Sequence, residues 1–167
     1  MKKTQKKLGN KGFSLVELIV VIAIMAVLIG VLAPTLLGNI EKSKLSKDKQ
    51  AIDELYQAWT NTLGDPKYEP PYNKTFTYTC SANGTLTING TTPVAAGDIK
   101  ASDDGTTDMG TTFVGEIVDY IGSDTIKLSS KYYKNASSTI VINIDSRGKV
   151  SVVANGDGDK GDFNINE

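Results

Sequence analysis

The 167-residue sequence contains no histidine and a single cysteine, Cys80. Without histidine, Ser/His/Asp and Cys/His catalysis in their usual forms are excluded, and so are Cys/His zinc sites. One cysteine cannot close an intramolecular disulfide, so no disulfide framework staples the chain. Cys80 ends a strand-like stretch, where a small buried apolar residue and an exposed cross-linking thiol are both open readings. Aromatics are missing between Phe13 and Tyr56, so no continuous aromatic chain runs along that stretch. Charge is missing as well: from Phe13 to Ile40 the one ionisable side chain is Glu17. The C-terminal GDKGDFNINE has no second apolar run of the kind that anchors a chain at that end. No site combines a base, a nucleophile and an orienting group, which points away from an enzyme.

What charge there is lies unevenly. The formal net charge of −1 hides a basic leader, with Lys2, Lys3, Lys6, Lys7 and Lys11 and no acid in the first 12 residues. The remainder holds 13 basic against 19 acidic residues, a poor electrostatic match for nucleic acid. Leu18 to Ala33 is an unbroken run of apolar residues and glycine. With Leu15, Val16, Leu36 and Leu37 it reaches the ~20 residues that span a bilayer. The preceding lysines predict a cytoplasmic N-terminus and an exported remainder. A secretory signal peptide fits poorly, because Pro34 directly follows the small residue Ala33. A plain membrane anchor leaves Glu17 unexplained, since a carboxylate in hydrocarbon costs on the order of 3 kcal/mol.

The stretch KGFSLVE, Lys11 to Glu17, resembles the class III prepilin signal of type IV pilins and their pseudopilin relatives. The resemblance covers about residues 7–63 and is most specific over 11–34. It implies that a prepilin peptidase cuts after Gly12 and methylates the new amine of Phe13. It implies that Glu17, fifth in the mature chain, meets the Phe13 amine of a neighbouring subunit and sets axial register in a filament. In one subunit the carboxylate is expected to be poorly paired; snorkelling to the lipid interface is the competing reading. Pro34 falls where many relatives have a helix-bending proline, and a bend or local unwinding is expected near Gly30 to Pro34. The implied organisation is a cleaved leader (1–12), a transmembrane and filament-core helix (13–40) and a globular head (41–167). The implied partners are further copies of the chain, minor pilins, the peptidase, an inner-membrane assembly platform and, before assembly, the membrane. The missing disulfide sets the chain apart from disulfide-closed pilins and points to a Gram-positive source.

Beyond the apolar run, Leu45, Ile52, Leu55, Tyr56, Trp59 and Leu63 share one helical face, until Gly64-Asp65-Pro66 stops the helix. A helix from about Ser14 to Leu63 would be roughly 75 Å long. Tyr56 and Trp59 are expected to pack against a sheet. From Thr75 the period becomes two. Strands are expected at 75–80, 85–90, 125–134, 138–145 and 149–153, with turns at Ala82-Asn83-Gly84 and Ser146-Arg147-Gly148. Residues 113–121 suit a short helix, and 91–110 a loop. The expected fold is α+β: a long N-terminal helix whose amphipathic half packs on a mostly antiparallel sheet.

Near the C-terminus, Asp157, Asp159 and Asp162 lie among three glycines with Asn155 nearby. Calcium takes six to eight oxygen ligands, and such acidic turns supply them. The segment also resembles, loosely, the calcium loop of the major pseudopilins of type II secretion. A solvated acidic tail is the alternative. DDGTTD (103–108) is a weaker case of the same kind. The function expected is a structural one, a subunit polymerising into a type IV pilus-like surface filament for adhesion, motility or aggregation. The alternatives are a pseudopilin of a secretion or DNA-uptake system and a membrane-anchored binding protein.

Overall fold

The computed structural model describes residues 12–88, 94, 98–103, 105–158 and 160–165. The chain divides into two compact units, Met1–Asn39 and Ile40–Glu167. One helix, α1 (Leu15–Leu63), supplies the first unit's regular structure and opens the second.

In the first unit the helix is apolar all round. An 18-residue window of α1 has a mean hydropathy of 3.1, and none of it is buried. By length and composition α1 is able to cross a membrane. Pro34 lies inside it, yet the helix is continuous through Gly30 and Pro34, with no unwound turn. One proline removes one ladder hydrogen bond, and the turns on either side keep theirs.

The second unit is built on the amphipathic end of α1. Asp48, Ile52, Leu55, Ala58, Trp59, Thr62 and Leu63 are buried at steps of one helical face. α1 ends at Leu63, where Gly64 and Asp65 begin a turn held by the Asp65 carboxylate on the Lys67 amide. Strand β1 (Tyr68–Glu69) pairs with β4 (Lys100–Ala101). β2 (Lys74–Thr79), β6 (Thr139–Ile144), β7 (Val150–Asn155) and β8 (Phe163–Ile165) form an antiparallel four-stranded sheet in the order β2-β6-β7-β8. β3 (Thr85–Thr87) pairs with β5 (Thr125–Lys127). The helix α2 (Gly110–Ile121) and a 3-10 turn (Lys131–Tyr133) complete the unit. The fold is α+β, as the change of period predicts.

Trp59 joins helix to sheet. Its ring lies 4.9 Å from both Phe76 of β2 and Phe113 of α2, and its indole N–H donates to the Tyr78 hydroxyl at 3.2 Å. Its role is core packing, and Tyr56 sits at the edge of the same cluster. Cys80 is buried, the first of its two open readings. Burial, and secondarily the Asp48 carboxylate, pushes its thiol pKa up to about 11.

Two expectations are corrected, and one turn holds between strands of different sheets. Residues 125–134 are not one strand: β5 stops at Lys127, and a 3-10 turn follows. The chain does turn at Ala82-Asn83-Gly84, but the flanking strands go to different sheets. Gly84 is fixed there by a φ of +81° and by a close approach that puts an added Cβ 2.3 Å from the Leu128 carbonyl. The loop expected over 91–110 holds β4 and the first residue of α2, whose Gly110 amide donates to the Asp108 carboxylate at 2.9 Å. Residues 91–93, 95–97 and 104 of that segment lie outside the described residues, as do 89–90 of the expected second strand.

Candidate functional site

The resemblance to a prepilin signal turns on Gly12, Phe13 and Glu17. Gly12 and Phe13 precede α1, and Phe13 is 91% exposed. A Cβ added to Gly12 would meet nothing within 4 Å. The fold itself places no steric demand for glycine there. Any such demand belongs to a protein that reads the segment from outside.

Glu17 lies in the first turn of α1. The structure gives it a partner within the chain. The Ser14 amide donates to the Glu17 carboxylate at 2.9 Å, and the Val16 amide donates to the Ser14 hydroxyl at 3.3 Å. The Ser14 carbonyl accepts the Leu18 amide at 3.2 Å, which starts the helical ladder. Ser-x-x-Glu thereby closes two of the four amides that a helix start leaves without helical acceptors, a variant of the capping box in which the Ser14 hydroxyl takes the Val16 amide and not that of Glu17. The carboxylate also faces the positive end of the helix dipole. The expectation of a poorly paired carboxylate therefore needs amending: among the described residues it has no ionic partner, but it holds one amide. Sequence alone carried this signal, since SLVE is the capping-box pattern just ahead of an apolar run.

The large apolar side chains from Phe13 through Ile40 are exposed. Gly30, like Gly12, faces open space. Such a surface is stable in water only when covered, by lipid or by other apolar helices.

At the other end of the chain, the acidic loop is a clasp. Asp162 accepts the Gly156 amide at 2.8 Å, and the Asp157 amide donates to the Tyr132 carbonyl at 2.7 Å. The Tyr133 hydroxyl donates to the Gly161 carbonyl. Gly156 and Gly161 pass so closely that a Cβ on either would lie within 3 Å of the other's Cα. This ties β8 to the 3-10 turn in a chain that has no disulfide to do so. Asp159, the third aspartate of the calcium expectation, lies outside the described residues, and among those described no three acidic side chains cluster. In the weaker case, the Asp108 carboxylate accepts the Gly110 amide at the start of α2, and Asp104 lies outside the described residues.

Sequence reasoning missed a second pair of carboxylates, on α1. Asp48 is 2% exposed and accepts the Ser129 and Ser130 amides at 2.7 and 2.8 Å. Glu41, two turns earlier, accepts the Lys131 amide at 2.5 Å. Together they take three successive amides that a strand would have given to a neighbour, which is why 125–134 breaks after Lys127. The signal was present: Asp48 lies between Leu45 and Ile52 on the apolar face.

Residues 7–33 match the family model of the prokaryotic N-terminal methylation motif. Such a motif is the class III signal of type IV pilins and pseudopilins, and here it runs into the long apolar helix of an α+β chain. Neither the curated proteins nor the solved structures contain a match to the chain.

Proposed function

We propose that the chain is a pilin, a structural subunit that polymerises into a type IV pilus-like filament on the cell surface. One observation carries this reading: the methylation motif at 7–33 runs onto a continuous helix whose membrane-length apolar stretch has nothing covering it in the single chain. A prepilin peptidase removes residues 1–12 after Gly12 and methylates the amine of Phe13. Until assembly the helix lies in the cytoplasmic membrane with its N-terminus inside. An assembly platform then draws it out, and helices bury one another in the filament as they were buried in lipid. There Glu17 pairs with the Phe13 amine of a neighbouring copy, which fixes axial register, and Pro34 is the point at which the helix bends to fit the bundle. Residues 13–40 form the filament core, and 41–167 the head. Adhesion, motility or aggregation are the uses such a filament serves.

The same motif marks pseudopilins of secretion and DNA-uptake machineries, and a membrane-anchored binding protein would keep its leader. Intact mass and N-terminal sequencing of protein sheared from native cells separates the three. The expected result is an abundant sheared chain beginning with N-methyl-phenylalanine at Phe13. A processed chain confined to membranes would favour a pseudopilin. A chain that keeps Met1–Gly12 would overturn the reading.

A further inference from the structure

The head carries two unlike patches that the single chain does not pair. One is a groove of about 370 Å³ between α1 and the end of α2, lined by Glu54, Gln57, Tyr120 and Ile121. Glu54 is exposed, and so is Tyr120, which with Tyr72 makes up the large apolar side chains left open beyond Ile40 among the described residues. Gln57 donates to the Asp53 carboxylate at 2.7 Å, and Asp119 precedes Tyr120, so the groove is acidic; among the described residues no cation lines it. The other patch is a run of lysines earlier on α1: Lys42, Lys44, Lys47 and Lys49. The acids beside them are turned to the head, Glu41 to the Lys131 amide and Asp48 to those of Ser129 and Ser130. Lys44 reaches Glu41 at 3.7 Å, and Lys49 lies 5.1 Å from the ring centre of Phe163 on β8. Lys42 is exposed and has no ionic partner among the described residues.

We propose that the groove between α1 and α2 is a docking site for a second copy of this chain, whose Lys42 seats against the Glu54 carboxylate and the Tyr120 ring. The inference rests on the filament reading above and names a contact between heads. Charge complementarity selects the occupant: an acidic groove with an open aromatic ring suits an ammonium group, held by the carboxylate and by the ring's electrons. The chain itself carries that group, on a different flank of α1. Lys42 lies two helical turns before Lys49 and so shares the β8 flank, whereas Glu54 and Gln57 face α2. Lys42 and Glu54 are also about 18 Å apart along the helix, so one chain cannot close the pair on itself. Unlike patches on different flanks and at different heights make a heterologous contact, which repeats from copy to copy and builds an open filament instead of a closed dimer.

The test uses the full chain in its native cells. Lys42→Glu and Glu54→Lys change exposed side chains, and each is expected to be processed at wild-type levels. Each is expected to give on the order of tenfold less chain in the sheared filament fraction, because like charges then meet at every repeat. The double variant restores opposite charges between copies and is expected to recover most of the loss. A double variant no better than the weaker single one overturns the proposal, as does wild-type yield from both single variants. A second measurement is independent of yield: Lys42→Cys combined with Gln57→Cys, treated with a mild oxidant. Within one chain these positions are roughly 22 Å apart along α1, beyond the reach of a disulfide, and Cys80 is buried. Each chain then holds both halves of a propagating contact, so a ladder of disulfide-linked multimers is expected, whereas either single variant stops at dimers. Absence of the ladder overturns the proposal. A wild-type chain missing from sheared filaments would count against the filament reading, while the ladder, sought in membranes, still reports on the groove.

Discussion

Removing the Asp48 carboxylate tests how the head is held to its helix. Its two acceptor bonds run to the amides of Ser129, half-buried, and Ser130, fully buried. Hydrogen bonds to a charged group contribute about 1.5–3 kcal/mol each. Two effects reduce the sum. The Ser129 amide is able to find water, and deletion also lifts the cost of keeping the carboxylate itself dry. Asp48→Ala is therefore expected to destabilise the head by about 2–4 kcal/mol. The unit from Ile40 to Glu167 has 128 residues. At ~2.1 cal/mol/K per residue the shift in melting temperature is roughly 7–15 °C. The assay is thermal melting of the full-length chain in detergent micelles, followed by near-ultraviolet circular dichroism. That signal reports the packing of Trp59 against Phe76 and Phe113. Asp48→Asn keeps one acceptor oxygen but turns a donor toward the second amide, so it too should lower the midpoint. A shift of less than about 2 °C for Asp48→Ala would mean that the amides are already solvated and that the carboxylate does not hold the turn.

Gly161→Ala should loosen the C-terminal clasp, because its Cβ would lie 2.8 Å from the Gly156 Cα and 2.9 Å from the Tyr132 Cβ, neither of which is a flexible end. A loss of about 1–3 kcal/mol is expected, with proteolysis appearing first near β8 while α1 stays protected. For Cys80 the folded thiol titrates near 11 and the ordinary value is 9.0, so its contribution to stability is complete below pH 9 and lost as pH rises toward 11. Alkaline melts should show that loss, Cys80→Ala should reduce its slope, and iodoacetamide at pH 8 should leave the folded chain unlabelled. Glu17→Ala should give a processed chain that stays in the membrane, and Gly12→Ser should block cleavage. Filaments from the first variant, or a mature chain starting at Phe13 from the second, would contradict those two roles.

The parts of this fold that could be read from sequence are those set by neighbours along the chain. The end of α1 at Leu63 follows from Gly64-Asp65-Pro66, and β6 and β7 follow from alternation around Ser146-Arg147-Gly148, where the Asp145 carboxylate accepts the Arg147 and Lys149 amides at 2.7 and 2.8 Å. Those two amides, Lys149 first, hold the Asp145 carboxyl below the usual range. What could not be read is set by groups far apart. The residues after Lys127 have the composition of a strand, but the groups that claim their amides are Glu41 and Asp48, on a helix some 80 positions earlier. The glycines at 156 and 161 read in sequence as parts of a turn, but the close backbone approach between them is visible only in the fold. The same logic separates the two carboxylates that matter most. Glu17 and Asp48 are both acidic residues on the apolar face of one helix, and each has its cost offset by backbone amides. Asp48 finds its amides within the head and is spent on stability. Glu17 holds one amide of its own cap on an uncovered stretch of helix, which leaves it exposed as the proposed pairing with another copy requires.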